Sequence, residues 1–216
     1  MIRDIGLTEI LMLVHAAGWT LMLAVIAFVL GVILALPLAL MRAYAHPIIS
    51  RPVTLYIELI QATPVLMLIF LGYFGLSFFG LQLPAIVAAS LALTLYSSAY
   101  LSEICRGSIV SVGVAQWEAS AALAMTPAQQ LRYVILPQSL KVALAPTIGF
   151  TVQLIKNTSM TALIGFVELT RAGQILNNIT FQPFVVFCIV ALFYFVICYP
   201  LSIYGYWLER KLNVGR

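Results

Sequence analysis

The stretch from Met12 to Leu40, MLVHAAGWTLMLAVIAFVLGVILALPLAL, decides the fold class of this sequence. It contains no Asp, Glu, Lys or Arg, and it exceeds the roughly 20 apolar residues that a helix needs to cross a bilayer. The apolar part of a secretory signal peptide runs to only about 15 residues and ends at a small-residue cleavage site, which is absent here. We therefore predict a membrane span that stays in the mature protein.

The rest of the chain has the same character. Its 216 residues are 63% hydrophobic and 8% charged, with a mean hydropathy of +1.07. Because a soluble domain carries about 25% charged residues, this composition excludes both a soluble enzyme and a disordered chain. Hydropathy places four further spans, at about residues 56–79, 85–105, 141–165 and 184–207. The sequence thus predicts an all-α polytopic membrane protein with five transmembrane helices in one domain, residues 1–216.

The distribution of basic residues predicts the orientation of the spans. With the N-terminus outside, one set of segments holds eight Arg and Lys residues and the other holds two. The eight are Arg42, Arg51, Arg106, Arg132, Lys141, Arg210, Lys211 and Arg216, and the two are Arg3 and Arg171. Since basic residues concentrate on the cytoplasmic side, we expect an N-out, C-in protein. The long connection, residues 106–140, then faces the cytoplasm, and residues 166–183 form a shorter polar connection on the other face.

The long connection has the pattern of two short helices joined at a corner. Ala115 to Met125 is rich in alanine and predicts the first helix. Thr126 then has the position of an N-cap, followed by Pro127 in the first turn and by Gln129 as in a capping box. Pro137 predicts the end of the second helix, because the residue before a proline disfavours helical geometry. The first helix could dock into a groove on a partner protein or could rest on the lipid headgroups.

Four ordered segments of the sequence are 56-YIELIQATPVL-66, 99-AYLSEICRGSI-109, 116-QWEASAALAMTPAQQLRYVILPQSL-140 and 154-LIKNTSMTALIGFVELTRAGQ-174. Together they resemble the permease subunits of ABC importers, and more narrowly the polar-amino-acid family of the histidine, glutamine and arginine type. The third resembles the family's "EAA…G…I-LP" signature, with Ser120, Ala124 and Val134 as departures from it. If the signature glycine adopts a positive φ, Ala124 is strained there. In the second span, Gln61-Ala62-Thr63-Pro64 stands where the family has Arg-Gly-Thr-Pro.

This resemblance implies a type I ABC importer permease in a bacterial plasma (inner) membrane. The long connection would be its coupling loop, and the first loop helix would dock on an ATP-binding subunit. The residues implied in that contact are Trp117, Glu118, Ala119, Ser120, Ala122, Leu123, Ala124, Met125 and Thr126. The implied partners are a second permease subunit, identical or homologous, two ATP-binding subunits, an extracytoplasmic solute-binding protein and the amino-acid substrate, with no nucleic acid.

The chain itself lacks the G-x-x-x-x-G-K-[ST] phosphate loop. We therefore expect it to be no enzyme and to bind no cofactor or metal, while ATP and Mg belong to the partner ATPase. Its three cysteines, Cys105, Cys188 and Cys198, lie in apolar stretches without ligand spacing and are expected to be buried hydrophobes.

The fourth span carries a polar stripe that could line the substrate path. Gly149, Gln153, Asn157 and Thr161 follow one another at i, i+4 and so share a helix face. Such a stripe could bind the polar ends of an amino acid, or it could hold helices together. A charge within a span costs insertion energy and is a functional candidate. The proposed path residues are Gln153, Lys156, Asn157, Ser159 and Thr161, with Thr63 from the second span and Ser98 from the third.

Some polar groups in the spans have simpler explanations. Ser98 shares a face with Thr94 and Ser102, and this face could equally be a packing surface. Thr158 points away from the stripe and could bond back to its own helix. Glu103 and Arg106 stand at i, i+3 and could form an ion pair.

Two other classes of protein make different demands on the sequence. A secondary transporter or channel subunit driven by an ion gradient predicts paired acidic residues near mid-membrane and no docking loop. An intramembrane enzyme needs a catalytic pair, but Asp4 is the only aspartate and His15 has no evident partner. Both fit the sequence less well than the importer permease. Lys156 and Asn157 favour acidic or neutral polar substrates over cationic ones.

Overall fold

The computed structural model describes residues 5–213, and within that range all regular structure is helical. Two basic residues of the orientation argument, Arg3 and Arg216, lie outside the described residues, as does Asp4. Four helices are long and apolar enough to cross a membrane. They are α1 (Leu7–Tyr44), α4 (Ala85–Val110), α6 (Pro127–Ile164) and α8 (Pro183–Asn213). The shorter helices are α2 (Pro47–Ala62), α3 (Val65–Phe78), α5 (Val114–Ala122) and α7 (Leu169–Thr180).

The second predicted span is not one straight helix. It begins at Pro47 instead of Tyr56, and it breaks at Thr63 and Pro64, where α2 and α3 meet at 106°. Thr63 is extended, with φ −98° and ψ 130°, because the proline ring crowds the residue before it. The pair is either a broken span or a re-entrant loop, so the described chain has four spans, or five when the pair counts as one.

The expectation that Pro137 ends a helix is wrong. Leu136 is helical, with φ −58° and ψ −45°, and α6 continues through Pro137 to Ile164. A π-helical turn, Gln130–Ile135, lies immediately before the proline. This wider turn gives the ring room that a regular α-turn denies it. In addition, the Gln138 side chain donates to the Val134 carbonyl at 3.0 Å.

The centre of the bundle is the contact between α1 and α4, the most extensive helix pairing in the described part. Alanines of α1 are buried along this side, among them Ala27 and Ala35. Gly31 lies opposite Ser97, where a Cβ atom on the glycine would stand 2.5 Å from the Ser97 Cβ. Small residues permit this close backbone approach, which is how membrane helices associate without a hydrophobic driving force.

Replacing Gly31 with alanine is expected to lower the free energy of unfolding by about 1–3 kcal/mol, because the new methyl meets a Cβ and backbone atoms that cannot rotate away. The measurement is thermal unfolding of the detergent-purified chain. Gly18→Ala is the matched control on the same helix, since nothing lies within 4 Å of its Cβ position. Equal melting temperatures for the two variants would contradict the close approach.

Candidate coupling loop and substrate path

The first helix of the long connection, α5, presents a small, mostly uncharged surface to its surroundings. Glu118, Ala119 and Ala122 are exposed on it, and Leu123 at its end is 77% exposed. Glu118 makes no hydrogen bond or ion pair within residues 5–213. The exposed surface therefore combines close backbone access with one free carboxylate and one free apolar side chain.

The other face of α5 holds the helix against the bundle. Trp117, which was expected to be an exposed contact residue, is half-buried, with its ring centroid 6.3 Å from that of Tyr44. It also packs on a buried cluster that contains Ile109, Val112 and Ile135. Ser120 is 2% exposed, and its hydroxyl donates to the Trp117 carbonyl at 2.9 Å. Trp117 and Ser120 thus hold α5 against the bundle.

The corner between α5 and α6 has the predicted capping box. The Gln129 side chain accepts from the Thr126 amide at 2.9 Å, and the Thr126 hydroxyl accepts from the Gln129 amide at 3.4 Å. Gln130 adds a side-chain bond to the Met125 carbonyl at 3.0 Å. Because these bonds satisfy backbone groups at the start of α6, the corner has a defined geometry.

The strain expected at Ala124 is present. Its φ is +57°, in the left-handed region that favours glycine. The residue follows the end of α5, and the Met125 amide reaches back to the Ser120 carbonyl at 3.3 Å. This is the position at which helices commonly end on a left-handed residue.

Replacing Ala124 with glycine is expected to raise the free energy of unfolding by about 1 kcal/mol, because glycine adopts a left-handed φ without a Cβ clash. Ala119→Gly, at an exposed position inside α5, should instead lower it by about 1 kcal/mol. Thermal unfolding of the two variants beside the parent measures both effects. Melting temperatures that shift in the same direction in both variants would show that glycine does not relieve the strain at position 124.

The predicted polar stripe of α6 is present as far as Asn157 and ends there. Gln153 and Lys156 are exposed, and Asn157 is half-buried. Beyond Asn157 the helix tightens to a 3-10 segment, Thr158–Ile164, with three residues per turn. Thr161 therefore leaves the predicted face. It is fully buried and donates to the Thr158 carbonyl at 2.7 Å.

Three further polar residues bond to backbone carbonyls of their own helices. Thr158 donates to the Ile155 carbonyl at 2.7 Å, as predicted, and Ser159 donates to the Lys156 carbonyl at 2.7 Å. Thr63 donates to the Leu59 carbonyl at 2.7 Å, at the break between α2 and α3. Their hydroxyl hydrogens are therefore already donated to backbone carbonyls of the chain.

Ser98 is fully buried, and its hydroxyl lies 2.7 Å from that of Tyr56. It joins α4 to α2 and belongs to the packing surface that was the alternative interpretation. The Gln153 side chain is exposed, although its amide donates to the Tyr96 hydroxyl at 3.3 Å. Gln153, Lys156 and Asn157, with Ser159 at the edge, form the accessible polar face.

An ion cluster lies near the end of α4. Arg106 donates from Nε to both Glu103 carboxylate oxygens, at 3.1 and 3.2 Å, which confirms the predicted pair. Arg42 of α1 also pairs with Glu103, a partner that local sequence spacing does not reveal. The cluster therefore joins α1 to α4 at the end of the bundle that carries the long connection.

The helix α7 and its cap are absent from the sequence-based prediction, which treated residues 166–183 as a polar connection. Glu168 is fully buried and caps α7 by accepting from the Thr170 and Arg171 amides at 2.9 and 2.8 Å. Tyr194 of α8 donates to the same carboxylate at 2.9 Å. The sequence does carry one signal for this helix, the apolar spacing of Leu169, Ala172 and Leu176.

The comparison with known protein families agrees with this architecture. The profile described as "Binding-protein-dependent transport system inner membrane component" matches residues 27–214. The chain belongs to this family. It is thus a membrane-embedded, multi-pass permease, with several helices that are long and apolar enough to span a bilayer.

Relatives of this permease cover nearly its whole length. The probable amino-acid ABC transporter permease protein YckA of Bacillus subtilis (strain 168) is 32% identical over 198 residues, 92% of this chain and 88% of the relative. The probable glutamine permease protein GlnM of the same organism is 35% identical over 194 residues, 90% of each chain. The glutamine transport system permease protein GlnP of Escherichia coli (strain K12) is 32% identical over 205 residues, 94% of each.

Solved structures show the same fold. A crystal structure of an amino acid ABC transporter with histidines matches with a TM-score of 0.89 and 33% identity, covering 97% of this permease and 100% of that chain. The MetNI methionine ABC transporter in an inward-facing conformation matches with a TM-score of 0.81 at 20% identity, over 96% and 99% of the two chains. The permease therefore has the fold of type I ABC importer permeases.

Proposed function

We propose that this permease forms the translocation pathway of an ATP-binding-cassette importer for polar amino acids. It works with a second permease subunit, identical or homologous, two ATP-binding subunits that hold ATP and Mg, and an extracytoplasmic solute-binding protein. Its N-terminus is outside and its C-terminus inside, so that the long connection, residues 106–140, is cytoplasmic. The observation that carries this proposal is the exposed surface of α5 around Glu118, at the end of a rigidly held helix.

The way α5 is fastened supports the coupling role. Trp117 packs on the buried cluster that contains Ile135 of α6, and the Gln138 side-chain amide of α6 donates to the side-chain oxygen of Gln116 of α5 at 3.3 Å. A displacement of α5 by the ATPase is therefore transmitted to α6. Because α6 also carries Gln153, Lys156 and Asn157, the same movement reaches the proposed substrate path. This is alternating access by rigid-body motion.

The chemistry of the accessible polar face supports an amino-acid substrate. Lys156 can pair with a carboxylate, and the amides of Gln153 and Asn157 can both donate and accept hydrogen bonds. Within residues 5–213, this face presents no acidic residue of α6 to a cationic side chain. Neutral polar and acidic amino acids are therefore the favoured substrates. The relatives named for glutamine, GlnM and GlnP, agree with this class.

Uptake of radiolabelled amino acids into proteoliposomes tests the proposal. The vesicles hold the purified complex with ATP on the side of the ATP-binding subunits, and the solute-binding protein is added on the other side. We expect accumulation of a polar amino acid only with hydrolysable ATP. Accumulation by this permease without any ATP-binding subunit, driven by an ion gradient, would establish the secondary-transporter alternative.

Labelling tests the orientation in the same vesicles. Ala128 is exposed near the start of α6. In a chain whose three native free cysteines are replaced with serine, Ala128→Cys should react with an impermeant maleimide only from the side of the ATP-binding subunits. Reaction from the opposite side would overturn the assignment of the long connection to the cytoplasm.

A further inference from the structure

A groove of about 940 Å³ opens beside α5, between α6 and the last turns of α8. Gln116 of α5 lines it, together with Gln138 and Lys141 of α6 and with Glu209 of α8. A smaller cavity of about 260 Å³ lies next to it between the same two helices, and the two share Ala145 and Glu209. The groove thus continues from the end of the bundle that carries α5 toward the membrane interior.

The groove holds one cation and one anion that have no partner in the described chain. Lys141 and Glu209 are both exposed, and neither makes an ion pair or hydrogen bond within residues 5–213. They stand on different helices and line the same space. The amides of Gln116 and Gln138, joined at 3.3 Å, lie on the α5 side and retain free donors and acceptors.

We propose that this groove binds a free amino acid as a zwitterion. Lys141 pairs with its α-carboxylate, Glu209 pairs with its α-ammonium, and the two glutamine amides face its polar side chain. Two opposite charges across one cavity match a zwitterion, whereas a simple anion or cation would leave one of them unpaired. The charged pair is separate from the proposed path residues, because Gln153 stands 12 residues beyond Lys141, roughly 18 Å along α6, although the smaller cavity reaches Gly149 of the same polar stripe.

The position of the groove gives the bound amino acid a consequence for transport. Its walls come from α5, α6 and α8, so an occupant holds α5 in one position relative to the two long helices. In the orientation proposed above, the groove opens on the side where transported amino acid accumulates. We therefore expect amino acid on that side to slow further uptake, as feedback at a second site.

The binding test uses the purified complex in nanodiscs with radiolabelled L-glutamine as the probe. The background is Gln153→Ala with Asn157→Ala, which weakens the proposed path without touching the groove. Lys141→Glu and Glu209→Lys are each expected to weaken binding about tenfold or more, because each puts two like charges across the groove. The double variant Lys141→Glu with Glu209→Lys restores the pair in the opposite sense, and a zwitterion can turn around, so binding should return. Double-variant binding as weak as in the single variants would overturn the proposal.

Ligand analogues and lipids provide the other arms of the test. N-acetyl-L-glutamine lacks the ammonium group and L-glutamine α-amide lacks the carboxylate, so neither should compete with the probe. The phosphatidylethanolamine headgroup is also zwitterionic. We expect equal glutamine binding in nanodiscs with and without this lipid. Binding that vanishes when the lipid is present would assign the groove to the headgroup and overturn the amino-acid assignment.

Uptake into preloaded proteoliposomes separates this inference from the proposed function. For each protein, the measured quantity is its own rate with L-glutamine-loaded vesicles divided by its rate with empty ones. The parent ratio should be low and should rise toward one in Glu209→Lys. No ATP-driven uptake of any amino acid into empty vesicles by the parent complex would contradict the proposed function. Uptake that proceeds equally in loaded and empty vesicles would contradict the feedback site alone.

Discussion

Replacing Glu118 with lysine is expected to lower ATP-driven uptake about 100-fold or more, while the chain stays folded and inserted in the membrane. Glu118 is exposed on α5 and makes no hydrogen bond or ion pair within residues 5–213, so its loss removes no described contact inside the permease. In the proposed complex its carboxylate meets basic or polar groups of the ATP-binding subunit. A lysine there places like charges together at a docking surface, which costs several kcal/mol, and 1.4 kcal/mol corresponds to a factor of ten.

Two variants control this experiment. Glu118→Gln removes the charge without reversing it and should reduce uptake less than Glu118→Lys does. Ala128→Lys adds a cation at an exposed position near the start of α6, outside α5, and should leave uptake close to that of the parent. Co-purification of the ATP-binding subunit reports on assembly separately from transport. If Glu118→Lys assembles and transports like the parent, α5 does not dock through this residue.

Two prolines show how far the sequence predicts this fold. The same steric rule applies to Thr63 before Pro64 and to Leu136 before Pro137. Thr63 is extended and the helix breaks, whereas Leu136 is helical and α6 continues. A π-helical turn, Gln130–Ile135, precedes Leu136, but other prolines, Pro37, Pro146 and Pro200, also lie inside long helices without such a turn. Hydrophobic run length therefore predicts that a span exists, but it does not predict whether a proline within or beside the span breaks it.

Predictions for the candidate site hold where the interacting residues are close in the sequence, and they fail where the residues are far apart or where the helical period changes. The capping box at Thr126 is local and is predicted from a few neighbouring residues, whereas the strain at Ala124 follows from the resemblance, which places a glycine at that position. The polar stripe depends on a constant helical period, and it fails at Thr161 where α6 becomes a 3-10 helix. Burial of Trp117 depends on Tyr44, far away in the sequence, and no local pattern reveals that contact.

Glu168 is the clearest long-range case, and its removal has the largest effect on stability that we expect. The Thr20 hydroxyl of α1, which lies 3.4 Å from the carboxylate, also accepts from the Leu169 amide at 3.1 Å. Together with the α7 cap and Tyr194, these bonds join α1, α7 and α8 around one buried side chain. Because glutamate is not among the preferred N-cap residues, the sequence pattern does not predict this capping role.

Replacing Glu168 with alanine is expected to lower the free energy of unfolding by about 3 kcal/mol or more. Loss of an N-cap costs about 1 kcal/mol, and each buried donor left without an acceptor, here including the Tyr194 hydroxyl, costs about 1–3 kcal/mol. Thermal unfolding of the purified chain measures the loss, and hydrogen exchange should show reduced protection across Leu169–Thr180. Glu118→Ala is the control, since that glutamate is exposed. Unchanged exchange in α7 would contradict the capping role.

Glu168→Gln separates the charge of this carboxyl from its hydrogen bonds. Burial raises the pKa of Glu168 above the ordinary 4.5, although the Thr170 and Arg171 amides and the Tyr194 hydroxyl oppose the shift. A folded-state pKa above the unfolded value means that the folded chain binds the proton more tightly. The contribution of this group to stability is thus fully present below pH 4.5 and is lost as the pH rises through the raised pKa. Thermal unfolding of the parent and of Glu168→Gln is therefore measured from pH 4.5 upward. We expect the parent to lose stability relative to the variant as the pH rises. A stability difference that does not change with pH would mean that burial does not govern the titration of Glu168.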